Sequence, residues 1–156
     1  MNEGAAVMEA MAEFDIDCAL LAGRYTLLEQ NTLDDLLPEC EKRGVSILLG
    51  GAFNSGILAH GLLGELKFNY VDAPQEVVER VARLETICRT YDAPLAAAAL
   101  QFPYAHPAVA TVLNGARSPQ EVRENAASFE TKLPRELWLA LRDKGLIDPR
   151  APLPQA

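Results

Sequence analysis

The sequence predicts an α/β fold built on a parallel sheet, and three observations carry that expectation. Three short, mostly apolar runs occur at residues 16–22, 45–49 and 109–113, each interrupted by one polar residue. Segments with apolar residues at helical spacing alternate with them. Glycine or proline punctuates most of the changeovers. Runs without polar alternation suit strands covered by helices on both faces, and strict alternation with helices argues for parallel pairing.

In chain order, residues 2–14 suit a helix already under way, and residues 16–22 a buried strand. Thr32, with Asp35 three positions on, has the spacing of a helix cap. That helix carries Leu33, Leu36, Leu37 and Cys40 on one face and stops near Gly44. Residues 45–49 form the second strand. Residues 59–72 fit no single element, and Phe68 to Val71 reads equally as a loop or a short extended piece. Residues 74–91 form a long helix with Val77, Val78, Val81, Leu84 and Cys88 on its buried stripe. Pro94 opens another helix, whose alanines allow close packing. Residues 109–113 are the third strand, and residues 119–129 and 134–146 two final helices. The tail, residues 148–156, contains three prolines and is expected as a surface lid or frayed end. Three parallel strands leave two edges unpaired, so further strands are expected against this sheet.

Composition narrows the function. The 156 residues allow one domain or part of one, and 49% hydrophobic content is enough for a core. A formal charge of −8, with no stripe of Lys and Arg, argues against a nucleic-acid partner. No apolar run is long enough to cross a bilayer, and the N-terminus lacks a basic-then-apolar leader, so cytoplasm is the expected compartment. Cys18, Cys40 and Cys88 have unrelated spacings and read as small apolar side chains, with no metal site.

Chemistry concentrates in two segments that follow strands. Gly50-Gly51-Ala52-Phe53-Asn54-Ser55-Gly56 removes side chains at a strand end and then offers polar groups. It matches neither GxGxxG nor GxxxxGK[ST]. In the second, Gly115-Ala116-Arg117 leads into Ser118-Pro119-Gln120-Glu121, a capping-box pattern. A helix N-terminus beside an arginine suits phosphate. Glu124 and Asn125 follow, with polarity suited to adenine. Arg24 and Tyr25, after the first strand, are candidates for lining a substrate pocket. His60 and His106 have no carboxylate at a spacing that builds a dyad, and both read as structural or surface residues. Trp138 reads as core.

These segments, with Leu20 to Glu29 and Ala97-Ala98-Ala99-Leu100-Gln101-Phe102-Pro103, resemble the C-terminal half of the aldo-keto reductases. The similarity runs over residues 1–156. It is strongest to the sugar-dehydrogenase branch, the D-threo-aldose 1-dehydrogenase and L-fucose dehydrogenase type. It implies part of a (β/α)8 TIM barrel, with these strands as the sixth, seventh and eighth. It implies NAD or NADP as cofactor and a sugar or other carbonyl compound as substrate. By the same resemblance Asn2 contacts the nicotinamide carboxamide. Gly51, Phe53 and Ser55 cover the pyrophosphate. Gly115, Ala116, Arg117 and Ser118 meet the adenosine ribose and any phosphate on it, and Glu124 and Asn125 bind adenine. Gly50 stands where many relatives stack a tyrosine on the nicotinamide. Gly115 and Glu121 stand where many NADPH-selective relatives carry lysine and arginine. The family's catalytic Asp, Tyr, Lys and His belong to the first half of the barrel, so none is assigned here, and the chain alone is expected to be inactive. A missing N-terminal half-barrel or self-association would complete the sheet. The alternative is a non-catalytic half-barrel serving as a nucleotide-binding or assembly module.

Overall fold

A computed structural model describes residues 1–155; Ala156, the last residue of the expected tail, lies outside the described residues. The three apolar runs form one parallel sheet in the order β1 (Cys18–Ala22), β2 (Ser46–Gly50), β5 (Val109–Leu113). Parallel strands need long crossovers, and helices supply them. α1 (Gly4–Glu13) precedes β1, and α2 (Leu36–Arg43) joins β1 to β2. α3 (Ile57–His60), α4 (Gln75–Thr90) and α5 (Leu95–Tyr104) lie between β2 and β5, and α6 (Pro119–Glu130) and α7 (Arg135–Asp143) follow.

Side-chain alternation divides the sheet, with a shift in register between Ile47 and Leu48 that puts Val109 and Leu113 on opposite faces. Leu21, Ile47 and Leu49 are fully buried and Val109 nearly so, on the face that the helices cover. Their neighbours Leu20 and Leu113 are 46% and 44% exposed. The expectation of cover on both faces is therefore corrected: the helices blanket one face and leave the other open. Cys18 also lies on the open face and is exposed, so only Cys40 and Cys88 are core thiols, each pushed up to about 11 by burial. Trp138 and Tyr25 are the largest fully buried side chains.

Three local readings change. Asp35, not Thr32, caps α2, accepting from the Leu36 N–H at 2.5 Å. Thr32 sits in a 3-10 turn and donates its hydroxyl to the Arg24 carbonyl at 3.0 Å, which removes it from cap duty. The unsettled stretch after α3 folds into a small antiparallel hairpin, β3 (Lys67–Phe68) and β4 (Val71–Asp72), turned by Asn69 and Tyr70 at positive φ. The tail is anchored rather than frayed. Gln30 Oε1 accepts from the Asp148 N–H at 2.7 Å, Arg142 donates to the Ala151 carbonyl at 2.8 Å, and Ala151 is 1% exposed. As expected, the helix after residue 32 stops at Gly44, which adopts φ 72°.

Candidate functional site

Because the three strands run the same way, their C-terminal ends share one rim. The register pairs Ala22 with Gly50 and Gly50 with Leu113. The segments that begin at Gly23, Gly51 and Asn114 therefore leave the sheet side by side. The N-terminus reaches the same rim: its ammonium donates to the Leu20 carbonyl at 2.7 Å, and the Ala22 N–H donates to the Met1 carbonyl at 2.9 Å. Exposed Asn2 follows directly, and Arg24 Nε donates to its carbonyl at 2.5 Å.

The segment after β2 is rigid and half sunk. The Gly23 N–H donates to the Gly50 carbonyl at 2.8 Å. Gly51 adopts φ 68°, and a Cβ there would lie 3.3 Å from the Gly23 nitrogen. Only glycine fits both constraints without strain. Phe53 packs against the core. Asn54 is 4% exposed, donates to the Gly23 carbonyl at 3.4 Å, and leaves its buried Oδ1 with no partner among the described residues. Ser55, at φ 60°, accepts the Tyr70 N–H at 3.0 Å and so ties the hairpin to this segment.

The segment after β5 is open. No atom lies within 4 Å of a Cβ built on Gly115. Ala116 is exposed, and the Arg117 side chain is 86% exposed. Ser118 caps α6 as expected, accepting the Glu121 N–H at 3.1 Å. Glu121 does not complete the reciprocal box. Its carboxylate accepts the Arg117 N–H at 2.7 Å and lies 3.4 Å from the Arg117 guanidinium. These contacts, the backbone one first, hold the Glu121 carboxyl below the usual carboxylate range. Asn125 donates to the Gly115 carbonyl at 3.5 Å, and Glu124 accepts from Gln120 at 2.8 Å.

Of the two substrate-pocket candidates, Tyr25 is corrected. It is fully buried, its ring 5.2 Å from those of both Phe102 and His106, so it builds core and lines no opening. Its hydroxyl has no partner among the described residues, and burial raises its pKa well above the usual phenol value. Arg24 stays near the rim, but both Glu29 oxygens sit 2.8 Å from its Nη1, which neutralises the charge. It also lies 3.4 Å from Asn69 Oδ1, so it links Asn2, Glu29 and the hairpin. His106 is structural: Nδ1 accepts the Ala108 N–H at 3.2 Å, and burial lowers its pKa against the pull of Glu41. His60 is exposed. Sequence reasoning missed Asn114, whose Nδ2 is buried at the rim without a partner among the described residues. Its place immediately after an apolar strand was the available signal. Among the described residues no group of His, Cys, Asp or Glu is arranged to hold a metal, and no helix is long and apolar enough to cross a membrane.

Residues 1–145 match the profile of the aldo/keto reductase family. The chain is 50% identical over 147 residues to pyridoxal 4-dehydrogenase of Microbacterium luteolum, covering 94% of this chain and 43% of that protein. It is 37% identical over 143 residues to D-threo-aldose 1-dehydrogenase of a Pseudomonas species, covering 91% and 44%. Among solved structures, an aldo-keto reductase from Bacillus halodurans in its apo form superposes with a TM-score of 0.68 at 26% identity, over 88% of this chain and 46% of that one. The chain thus spans less than half the length of the relatives it matches.

Proposed function

This chain belongs to the aldo/keto reductase family, as a partial TIM barrel, and from that premise we propose that it is the cofactor-holding part of an NAD(P)-dependent oxidoreductase. The observation that carries this reading is the shared rim: Ala22, Gly50 and Leu113 are adjacent in register, so the segments after all three strands open together. Two features support the fit to a dinucleotide. Asn54 Oδ1, in the segment after β2, and Asn114 Nδ2, directly after β5, are buried with no partner among the described residues, and buried polar atoms ordinarily have one. Gly115 faces open space, so a ligand can approach the backbone there.

In this reading Gly51, Phe53 and Ser55 cover the pyrophosphate, the rigid turn of Gly50 and Gly51 leaving room where a side chain would stand. Gly115, Ala116, Arg117 and Ser118 hold the adenosine ribose, and Glu124 and Asn125 the adenine. Asn2, fixed through its carbonyl by Arg24, orients the carboxamide. Bound nicotinamide supplies hydride transfer to or from a carbonyl carbon. The substrate is an aldehyde or its cyclic hemiacetal, since pyridoxal and an aldose, named in the two relatives, share that carbon. No residue of this chain is assigned the proton transfer. The open sheet face, with Leu20 and Leu113, takes the rest of the barrel. That same face favours a second reading, an assembly module with no catalysis of its own.

Calorimetric titration of the purified chain with NAD+, NADP+ and ADP-ribose tests the first reading. Saturable binding is expected, weakened by Ser55→Ala and by Asn125→Ala; no binding of any of the three sinks it. Pyridoxal and D-aldoses with NAD+ are expected to give no sustained turnover from the chain alone. Turnover would overturn the assignment of proton transfer elsewhere.

A further inference from the structure

We propose that two copies of this chain pair head to tail, the β5 and α6 flank of one against the β1 and α1 flank of the other, and so close their sheets into one barrel. The proposal rests on the reading that the open sheet face takes the rest of the barrel, and it names the occupant as a second copy.

Each flank ends in a helix packed on one other, α1 on α2 and α6 on α5. No residue of α6 is buried. Val122 and Phe129 on it are exposed, and Phe129 meets the exposed Tyr104 of α5 edge-on, ring centroids 5.4 Å apart. Aromatic groups of this kind are common anchors of protein interfaces. On the opposite flank Phe14, directly after α1, is 65% exposed. The strand edges are also unfinished. β5 borders no further strand among the described residues. Beside β1, the Met1 ammonium and carbonyl bond on either side of Leu21, the pattern of a single parallel bridge.

Charge favours pairing across unlike flanks. Residues 1–22 hold Glu3, Glu9, Glu13, Asp15 and Asp17, all exposed, and no Lys or Arg. Two such flanks repel each other. The α6 flank is mixed: Glu124 and Glu130 share it with Arg123 and Lys132, both exposed and outside the ion pairs of the described residues. Those two cations therefore gain most from the acidic flank of another copy. A head-to-tail junction gives a ring where its rotation closes and a filament where it does not. Three strands and the Met1 bridge fill four adjacent positions, roughly half the circle of a parallel barrel of about eight strands. Two identical junctions then close the ring. Leu20 and Leu113 of both copies leave water together, and all the strands remain parallel, so both rims open at one end.

Sedimentation equilibrium of the purified chain tests this, on the native sequence and on two double variants, Arg123→Glu with Lys132→Glu and Glu9→Lys with Glu13→Lys. The native chain is expected to be a dimer with Kd below about 1 µM and to form no larger species. Each double variant is expected to raise Kd by about tenfold. An equimolar mixture of the two is expected to recover most of the native affinity, because each junction again joins opposite charges. All four positions are exposed, and unchanged circular dichroism confirms that the variants are folded; should one unfold, the native mass and the other variant decide. A native monomer overturns the proposal, and so does a filament series in place of a dimer. Unchanged Kd in both variants overturns it as well. Weakening in the α6 variant alone means that like flanks pair and overturns the head-to-tail junction. A monomer that instead binds the N-terminal half of the Microbacterium luteolum relative makes the occupant a different chain, which sinks the second copy and leaves the open-face reading intact.

Discussion

The two glycine-bearing segments at the rim start from neighbouring residues, Gly50 and Leu113, yet are held by opposite means. The one after β2 is fixed by backbone conformation: Gly51, Asn54, Ser55 and Gly56 all have positive φ, and Ala52 and Asn54 are buried. The one after β5 is fixed by side chains, Ser118 and Glu121, on an exposed turn. The first is part of the fold, and altering it costs stability. The second is adjustable surface, and altering it changes what can bind.

That contrast can be broken by substitution. Gly51→Ala places a Cβ 3.3 Å from the Gly23 nitrogen in a left-handed conformation. It is expected to destabilise by roughly 1–3 kcal/mol, read from the denaturant midpoint. A loss no larger than that of Gly115→Ala would mean that the segment is not locked. Ser118→Ala removes the α6 cap and is expected to cost about 1 kcal/mol, with the loss seen in helix α6 by amide exchange. Gly115→Ala meets nothing within 4 Å, and Gly115 is not at positive φ. It is expected to be neutral or to stabilise by up to about 1 kcal/mol through the unfolded chain. A clear destabilisation there would erase the distinction between the segments.

The smallest expected effect is a pH trend at the base of the sheet, away from the rim. Burial lowers the folded-state pKa of His106 below its unfolded value near 6.5. The unfolded chain therefore binds the proton first as pH falls. The stabilisation from neutral His106 is complete above about pH 6.5 and is lost below it, down to the folded pKa. Comparing unfolding midpoints of the native chain and His106→Asn between pH 7.5 and 5.5 isolates it; parallel slopes would remove His106 as the cause.

Much of the scaffold was legible from the residues. β5 falls on residues 109–113 as expected, Gly44 ends α2, and Ser118 caps α6, because each depends on local chemistry. What was not legible depends on partners distant in sequence. Thr32 and Asp35 both suit a cap, and only the Arg24 carbonyl decides between them. A tyrosine after a strand faces inward or outward with equal local sense; Phe102 and His106 draw Tyr25 in. Apolar runs look alike whether helices or further strands cover the second face, so Leu20 gave no warning of its exposure. The direction of the Glu121 carboxylate, one residue off the usual box, was equally invisible in the spacing.

The order of the strands sets a clock. β2 is hydrogen-bonded along both sides, whereas among the described residues β1 has only Met1 beyond it and β5 borders no further strand. Amide protons of Ile47, Leu48 and Leu49 can trade for deuterium only when the sheet comes apart as a whole. Their exchange rate is accordingly a direct gauge of global opening, against which loosening of the rim can be timed residue by residue.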